Sequence, residues 1–136
     1  MQLSVFSTDN QKSGFRLQYM EIFNWGTFDD TIHAIHPGGE TSLLTGANGS
    51  GKTTFVDALL TLIVPEKRYR FYNQSSGSEK KGDRTEDTYV LGGYGTISSE
   101  STGSTKTLYL RENKEEAYSI ILVNFANEAE QVVTLF

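Results

Sequence analysis

The apolar positions divide the chain into short β-type runs and one helical run. In residues 15–25, Phe15, Leu17 and Tyr19 alternate with Arg16 and Gln18, and Ile22, Phe23 and Trp25 continue the β-favouring run. A period of two marks a half-buried strand. Gly26-Thr27 reads as a tight connection to a second strand with Phe28, Ile32 and Ala34 on one face. His36-Pro37-Gly38-Gly39 reads as a turn, because proline presets φ and glycine supplies a positive φ. Residues 15–39 therefore predict an antiparallel hairpin. Residues 40–45 predict a short strand that ends in a glycine-rich loop. Residues 52–64 are apolar around most of a helical circumference, which predicts a helix buried on several sides and stopped by Pro65.

Beyond Pro65 the pattern lapses. Residues 66–87 are polar and charged and read as a long exposed loop. Residues 88–91 (Thr-Tyr-Val-Leu) read as a strand, residues 98–104 as a loop and residues 106–111 as a strand with Leu108 and Leu110 on one side. Residues 112–116 form a polar turn, 117–125 a strongly β run, 126–130 another turn, and 131–136 a further strand. Residues 1–14 are polar and read as a flexible lead, which leaves 15–136 as one domain.

Gly46-Ala47-Asn48-Gly49-Ser50-Gly51-Lys52-Thr53 matches G-x-x-x-x-G-K-[ST] at every fixed position. The chemistry needs these residues. Glycines let consecutive backbone N–H groups turn inward toward phosphate oxygens, and the helix that follows adds unpaired N–H groups and the positive end of its dipole. Lys52 is placed for the β- and γ-phosphates and Thr53 for Mg²⁺. At average residue usage the match has odds of about 10⁻⁵–10⁻⁴ per position. The apolar run before it and the apolar helix after it are further agreement that the motif does not require. Asn48, Gly49, Ser50, Gly51, Lys52, Thr53 and Thr54 are thus the candidate nucleotide ligands, with ATP and Mg²⁺ as cofactors.

About forty residues of β hairpin precede the loop, an arrangement that resembles the nucleotide-binding heads of ABC ATPases. Tyr19-Met20-Glu21-Ile22-Phe23-Asn24-Trp25-Gly26-Thr27-Phe28 resembles a segment of the SMC/RecF/SbcC group, and residues 46–54 with Asp57-Ala58-Leu59 are similar to that group's phosphate loop and helix. Asn24-Trp25-Gly26-Thr27-Phe28, residues 67–74, Asp83-Arg84 and Tyr89-Val90-Leu91-Gly92 resemble most the MukB-like SMC ATPases, the class that includes the JetC subunit of Wadjet plasmid-defence systems.

The resemblance implies an α/β fold, the N-terminal lobe of a P-loop ATPase head, with a mixed sheet around the helix and an antiparallel β subdomain. It implies Asn24 near the nucleotide, a C-terminal lobe and a second head as partners, kleisin-type subunits, and action on double-stranded DNA without sequence preference. It also implies a cytoplasmic, nucleoid-associated protein. The group's signature and Asp-Glu motifs do not occur in these residues. Residues 119–123 are an apolar run like the strand before that acid pair, but Asn124 and Phe125 follow, so they read as a plain core strand. The segment is thus expected to contain no catalytic residue and to turn over little ATP by itself. A transporter-type ABC subunit and a non-catalytic docking module remain the alternatives.

Charge sharpens one part of this picture. The net −5 is unevenly spread: residues 1–84 hold nine basic and nine acidic side chains, residues 85–136 three and eight. A uniformly basic nucleic-acid binder is excluded, but residues 66–84 hold six basic side chains, Lys67, Arg68, Arg70, Lys80, Lys81 and Arg84, against three acidic ones. These six are candidate contacts to a DNA backbone, interleaved with Tyr69, Phe71 and Tyr72, and the plain alternative is a solvated loop. Cysteine is absent, which removes disulfides, thiolate metal sites and thiol nucleophiles. No apolar run approaches the ~18–20 residues of a membrane span. His33 and His36 lie three apart and point to opposite faces of a strand, which disfavours a metal site. Asp57 reads as a structural hydrogen-bonding group.

Overall fold

The computed structural model describes residues 14–72, 84–98 and 103–136. The chain runs β1 (Arg16–Phe23), β2 (His33–Ile35), α1 (Lys52–Ile63), a 3₁₀ turn (Lys67–Tyr69), α2 (Glu86–Leu91), β3 (Gly93–Ser98), β4 (Thr105–Tyr109), β5 (Ile120–Ala126) and β6 (Val132–Leu135). One sheet has the order β2-β1-β5-β6 and a second pairs β3 with β4. All four pairings are antiparallel, so the expected mixed sheet gives way to two antiparallel ones among the described residues.

The core lies between α1 and the β1–β5 pair. Met20, Ile22, Ile121 and Val123 face Phe55 and Ala58 of α1, with Trp25 and Tyr89 at one end. Met20 pairs with Val123 and Ile22 with Ile121, so these four share one face of the sheet. The parity differs from the alternation at Phe15, Leu17 and Tyr19. The β1–β5 register shifts between Leu17 and Tyr19, and the bulge resets which side chains point inward. Leu17 thus packs on the core from one side of the bulge, Met20 and Ile22 from the other, and Phe15 is exposed.

Three other expectations change. The second strand is short, and Ile32 and Ala34 face outward while His33 and Ile35 are half-buried, because residues 26–31 form a turning loop rather than strand. Residues 40–45 form no ladder. A strand needs a neighbour, and both edges of β1 are taken, one by β5 and the other by β2 and by Gly38 and Gly39, whose N–H groups bond to the carbonyls of Gln18 and Leu17. Leu43 is left 86% exposed. Residues 88–91 are helical rather than extended. The Thr85 hydroxyl accepts from the Thr88 N–H while Thr88 reaches back to the Thr85 N–H, Glu86 and Asp87 fill the first turn, and Gly92 ends the helix at φ 68°.

The helix α1 starts and stops where expected, but it is buried on one side only. Phe55, Asp57 and Ala58 face the core, and Val56 and Ile63 are about half exposed. The strands expected near residues 106–111, 117–125 and 131–136 are present as β4, β5 and β6. The run at 119–123 is a core strand, antiparallel to β1. Residues 1–13 of the expected flexible lead lie outside the described residues, as do Lys80 and Lys81.

Candidate phosphate-binding site

The loop that joins residue 45 to α1 is wrapped tightly. A Cβ on Gly46 would stand 2.6 Å from the Ser50 hydroxyl, and Gly49 and Gly51 adopt φ of 80° and 89°. A Cβ on Gly51 would run into the Phe28 ring. Glycine is required at 51 on both counts, by backbone conformation and by space. Gly51 is also the residue that opens α1, and no side chain caps it, so the first-turn N–H groups remain available to an anion.

The Lys52 ammonium points back over this loop. It donates to the Gly46 carbonyl at 2.7 Å and to the Ala47 carbonyl at 2.8 Å, and lies 3.5 Å from the Ser50 hydroxyl. Two of its three donors are thereby oriented along the loop, which fixes the cation at the loop's centre. Residues 46–50 are exposed and residues 51–54 half-buried. The residues present fit a bound polyphosphate and its metal: a glycine-lined cradle, free N–H groups at a helix start, one fixed cation, and the hydroxyl of Thr53.

A second segment walls the loop. Phe28 covers Gly51 and packs on Phe55 at 5.5 Å and on His33 at 4.3 Å, centroid to centroid. Gly26 lies over Thr54, whose methyl would be 2.9 Å from a Cβ there. Trp25, 1% exposed, stacks on Tyr89 at 4.8 Å with the rings 6° from parallel. Its indole Nε1 is buried without a hydrogen-bond partner. Asn24 belongs to the same segment but its side chain turns elsewhere: Oδ1 accepts from the Asp30 N–H at 2.7 Å and the carbonyl accepts from Ser119. Asn24 lines an open depression of about 280 Å³ with Arg111, Glu112, Asn113, Glu116, Ala117 and Tyr118, which contains none of residues 46–54. Gly26 and Phe28, rather than Asn24, are the residues of this segment that touch the loop.

Tyr89 and Arg111 hold the wall from behind, and neither is singled out by local sequence pattern. The Gly26 N–H bonds to the Tyr89 carbonyl at 2.8 Å. The Tyr89 hydroxyl donates to Asp57 Oδ2 at 2.5 Å, and Asp57 is fully buried on α1, as its reading as a structural group requires. Burial pushes the Tyr89 phenol well above its ordinary pKa, and acceptance of its hydrogen by Asp57 pushes in the same direction. Arg84 also donates to that hydroxyl, at 3.2 Å.

The basic residues separate into two sets. Arg70 is nearly buried, and its guanidinium donates to the Val64 and Pro65 carbonyls at the end of α1 and to Glu86 at 2.9 Å. Lys67 and Arg68 are exposed, Lys67 3.2 Å from Glu86 and Arg68 2.6 Å from Glu66, with the Arg68 guanidinium 4.6 Å from the Tyr69 ring centroid. His33 and His36 pack on different aromatics, Phe28 and Tyr19.

Residues 17–79 match the family model described as the P-loop containing region of an AAA domain. The chain carries a P-loop NTPase segment. The matched span takes in the β1–β2 hairpin, the phosphate loop and α1, the elements that build the site. Neither a curated protein nor a solved structure matches the chain. No helix among the described residues is long and apolar enough to cross a membrane.

Proposed function

We propose that residues 46–54 bind the phosphates of Mg·ATP and that the chain is the N-terminal lobe of an SMC-like ATPase head. The observation that carries the first part is Lys52, held over the loop by two carbonyls beside a helix start with free N–H groups. In this reading Lys52 neutralises the β- and γ-phosphates, Thr53 ligates Mg²⁺, and the unpaired N–H groups of residues 51–54 bond the phosphate oxygens. The bound nucleotide supplies the phosphoanhydride whose hydrolysis would drive the assembled protein. The SMC-like part rests on the resemblance of residues 19–28, 46–54 with 57–59, 67–74, 83–84 and 89–92. It brings with it a second lobe, a second head, kleisin-type subunits and a role on DNA such as loop extrusion, plasmid defence or chromosome organisation.

Calorimetry of the purified chain tests the nucleotide reading. Mg·ATP is expected to bind with a 1:1 stoichiometry, and Lys52→Ala to abolish the heat. No binding at millimolar ATP would overturn the reading and favour a docking module. For DNA, the exposed Lys67 and Arg68 are the contacts this reading uses among the described residues, since Arg70 is occupied at the end of α1 and Arg84 is half-buried and donates to the Tyr89 hydroxyl. Charge reversal at both is expected to weaken duplex binding and to flatten its salt dependence. Unchanged binding and salt slope would sink the DNA assignment.

A further inference from the structure

The wall of the phosphate loop is tied to a distant part of the chain by one side chain. Arg111 lies just past β4, and its side chain is 12% exposed. Its Nε donates to the Val90 carbonyl at 2.6 Å, one terminal nitrogen donates to Asp29 Oδ1 at 2.5 Å, and the other to the Gly26 carbonyl at 2.9 Å and the Tyr89 carbonyl at 3.1 Å. The guanidinium therefore grips both ends of the 26–29 turn and the end of α2 together. Only arginine offers five donors in a fixed planar fork for such a set. The fit is tight on every side: a Cβ on Gly92 would lie 2.8 Å from both the guanidinium and the Gly26 carbonyl. Backbone bonds from Leu110 N–H to the Gly92 carbonyl and from Arg111 N–H to the Leu91 carbonyl fix the stem of the side chain.

What the clamp holds is the wall itself. Gly26 lies against Thr54 and Phe28 against Gly51, so a shift of the 26–29 turn moves directly onto the two ends of the residue 51–54 stretch. A cost follows from the charge: a nearly buried guanidinium is tolerated because one carboxylate and three carbonyls surround it. Replacement by a neutral side chain leaves three carbonyls and Asp29 without that donor.

We propose that Arg111 is a positioning residue for the phosphate loop, setting the placement of residues 26–28 against residues 51–54 and through it the affinity for nucleotide. The proposal rests on the reading that residues 46–54 bind Mg·ATP. Trp25, the one tryptophan of the chain, sits next to Gly26 and reports on the wall by its fluorescence.

The test uses the 136-residue chain as wild type, Lys52→Ala, Arg111→Met, Arg111→Lys and Asp29→Asn, titrated with Mg·ATP by calorimetry and by Trp25 emission, at a temperature where circular dichroism shows each variant folded. Wild-type binding that Lys52→Ala abolishes establishes the underlying reading. Arg111→Met is then expected to bind about fivefold or more weakly and to lose the Trp25 response, with Arg111→Lys recovering part of both. Asp29→Asn, at an exposed carboxylate, is expected to weaken binding by about twofold, because the carbonyl bonds remain. Wild-type affinity and an intact Trp25 response in Arg111→Met overturn the proposal. Should Arg111→Met fail to fold, wild-type behaviour in both Arg111→Lys and Asp29→Asn overturns it. If the wild type itself binds no Mg·ATP, the phosphate reading fails and the proposal fails with it, an outcome distinct from a wild type that binds and an Arg111 variant that binds equally well.

Discussion

The Tyr89 side chain meets the phosphate-loop helix, the tryptophan of the wall and an arginine at once. Its ring stacks on Trp25, and its hydroxyl donates to Asp57, a carboxylate with no exposed surface. Tyr89→Phe keeps the ring and removes that donor from a buried charge, so it is expected to destabilise the fold by about 1–3 kcal/mol near neutral pH. The sign of the pH dependence follows from the raised phenol pKa. In the unfolded chain the group ionises near 10, and in the folded chain it stays protonated to higher pH. Its contribution is complete below about pH 10 and is lost as pH rises from there through the folded-state value. The stability gap between wild type and Tyr89→Phe, from urea midpoints at pH 7 to 11, is therefore expected to narrow above pH 10. A gap that stays constant or widens there would show that the fold does not hold the hydroxyl in its protonated form.

At the scale of elements, what was legible in the sequence was whatever a local rule determines. The phosphate loop, the start of α1, its stop at Pro65, the 36–39 turn and the strands at residues 106–111, 117–125 and 131–136 follow from glycine, proline and apolar spacing within a few residues. The misread elements are those decided by distant partners or by capping. Residues 88–91 have β-favouring Thr, Tyr and Val, yet the Thr85–Thr88 capping box and Gly92 outweigh a propensity difference of under about 1 kcal/mol per residue. Residues 40–45 look like a strand, but they join no ladder, and both edges of β1 are already taken. A single bulge in β1 inverted the apparent inward face, which no periodicity count over five residues detects. The site divides the same way. Its candidate ligands are contiguous and stand out as a motif, and the segment 24–28 stands out by resemblance, whereas the convergence of Gly26, Phe28, Tyr89 and Arg111 joins segments up to 85 residues apart and shows only in the fold. The basic loop was readable as charge but not as placement, since only the folded chain shows Arg70 bonded to the end of α1 and Lys67 and Arg68 facing solvent.

For the whole molecule, the two sheets differ in how they are held, and that difference sets which parts open first. The β1–β5 pair contributes Met20, Ile22, Ile121 and Val123, all at most 9% exposed, to a core closed by α1. The β3–β4 hairpin buries little: β3 is mostly exposed, with Tyr94 and Ile97 each 56% exposed, and it is joined to the rest through Gly92 and the Arg111 clamp. Opening free energy follows buried apolar area and the protection of backbone bonds, so the hairpin is the less stable unit. Native-state hydrogen exchange is expected to show the amides of Met20, Ile22, Ile121 and Val123 exchanging only through global unfolding. The amides of β3 and β4 that bond across their shared ladder are expected to exchange through a partial opening that lies about 2 kcal/mol or more lower. Arg111 bonds to carbonyls of the wall from the base of that hairpin, so the opening is felt at residues 26–29. The Gly26 amide, bonded to Tyr89, should therefore exchange with the hairpin rather than with the core. Core-like protection at Gly26 alongside fast exchange in β3 and β4 would show that the wall is held without the hairpin.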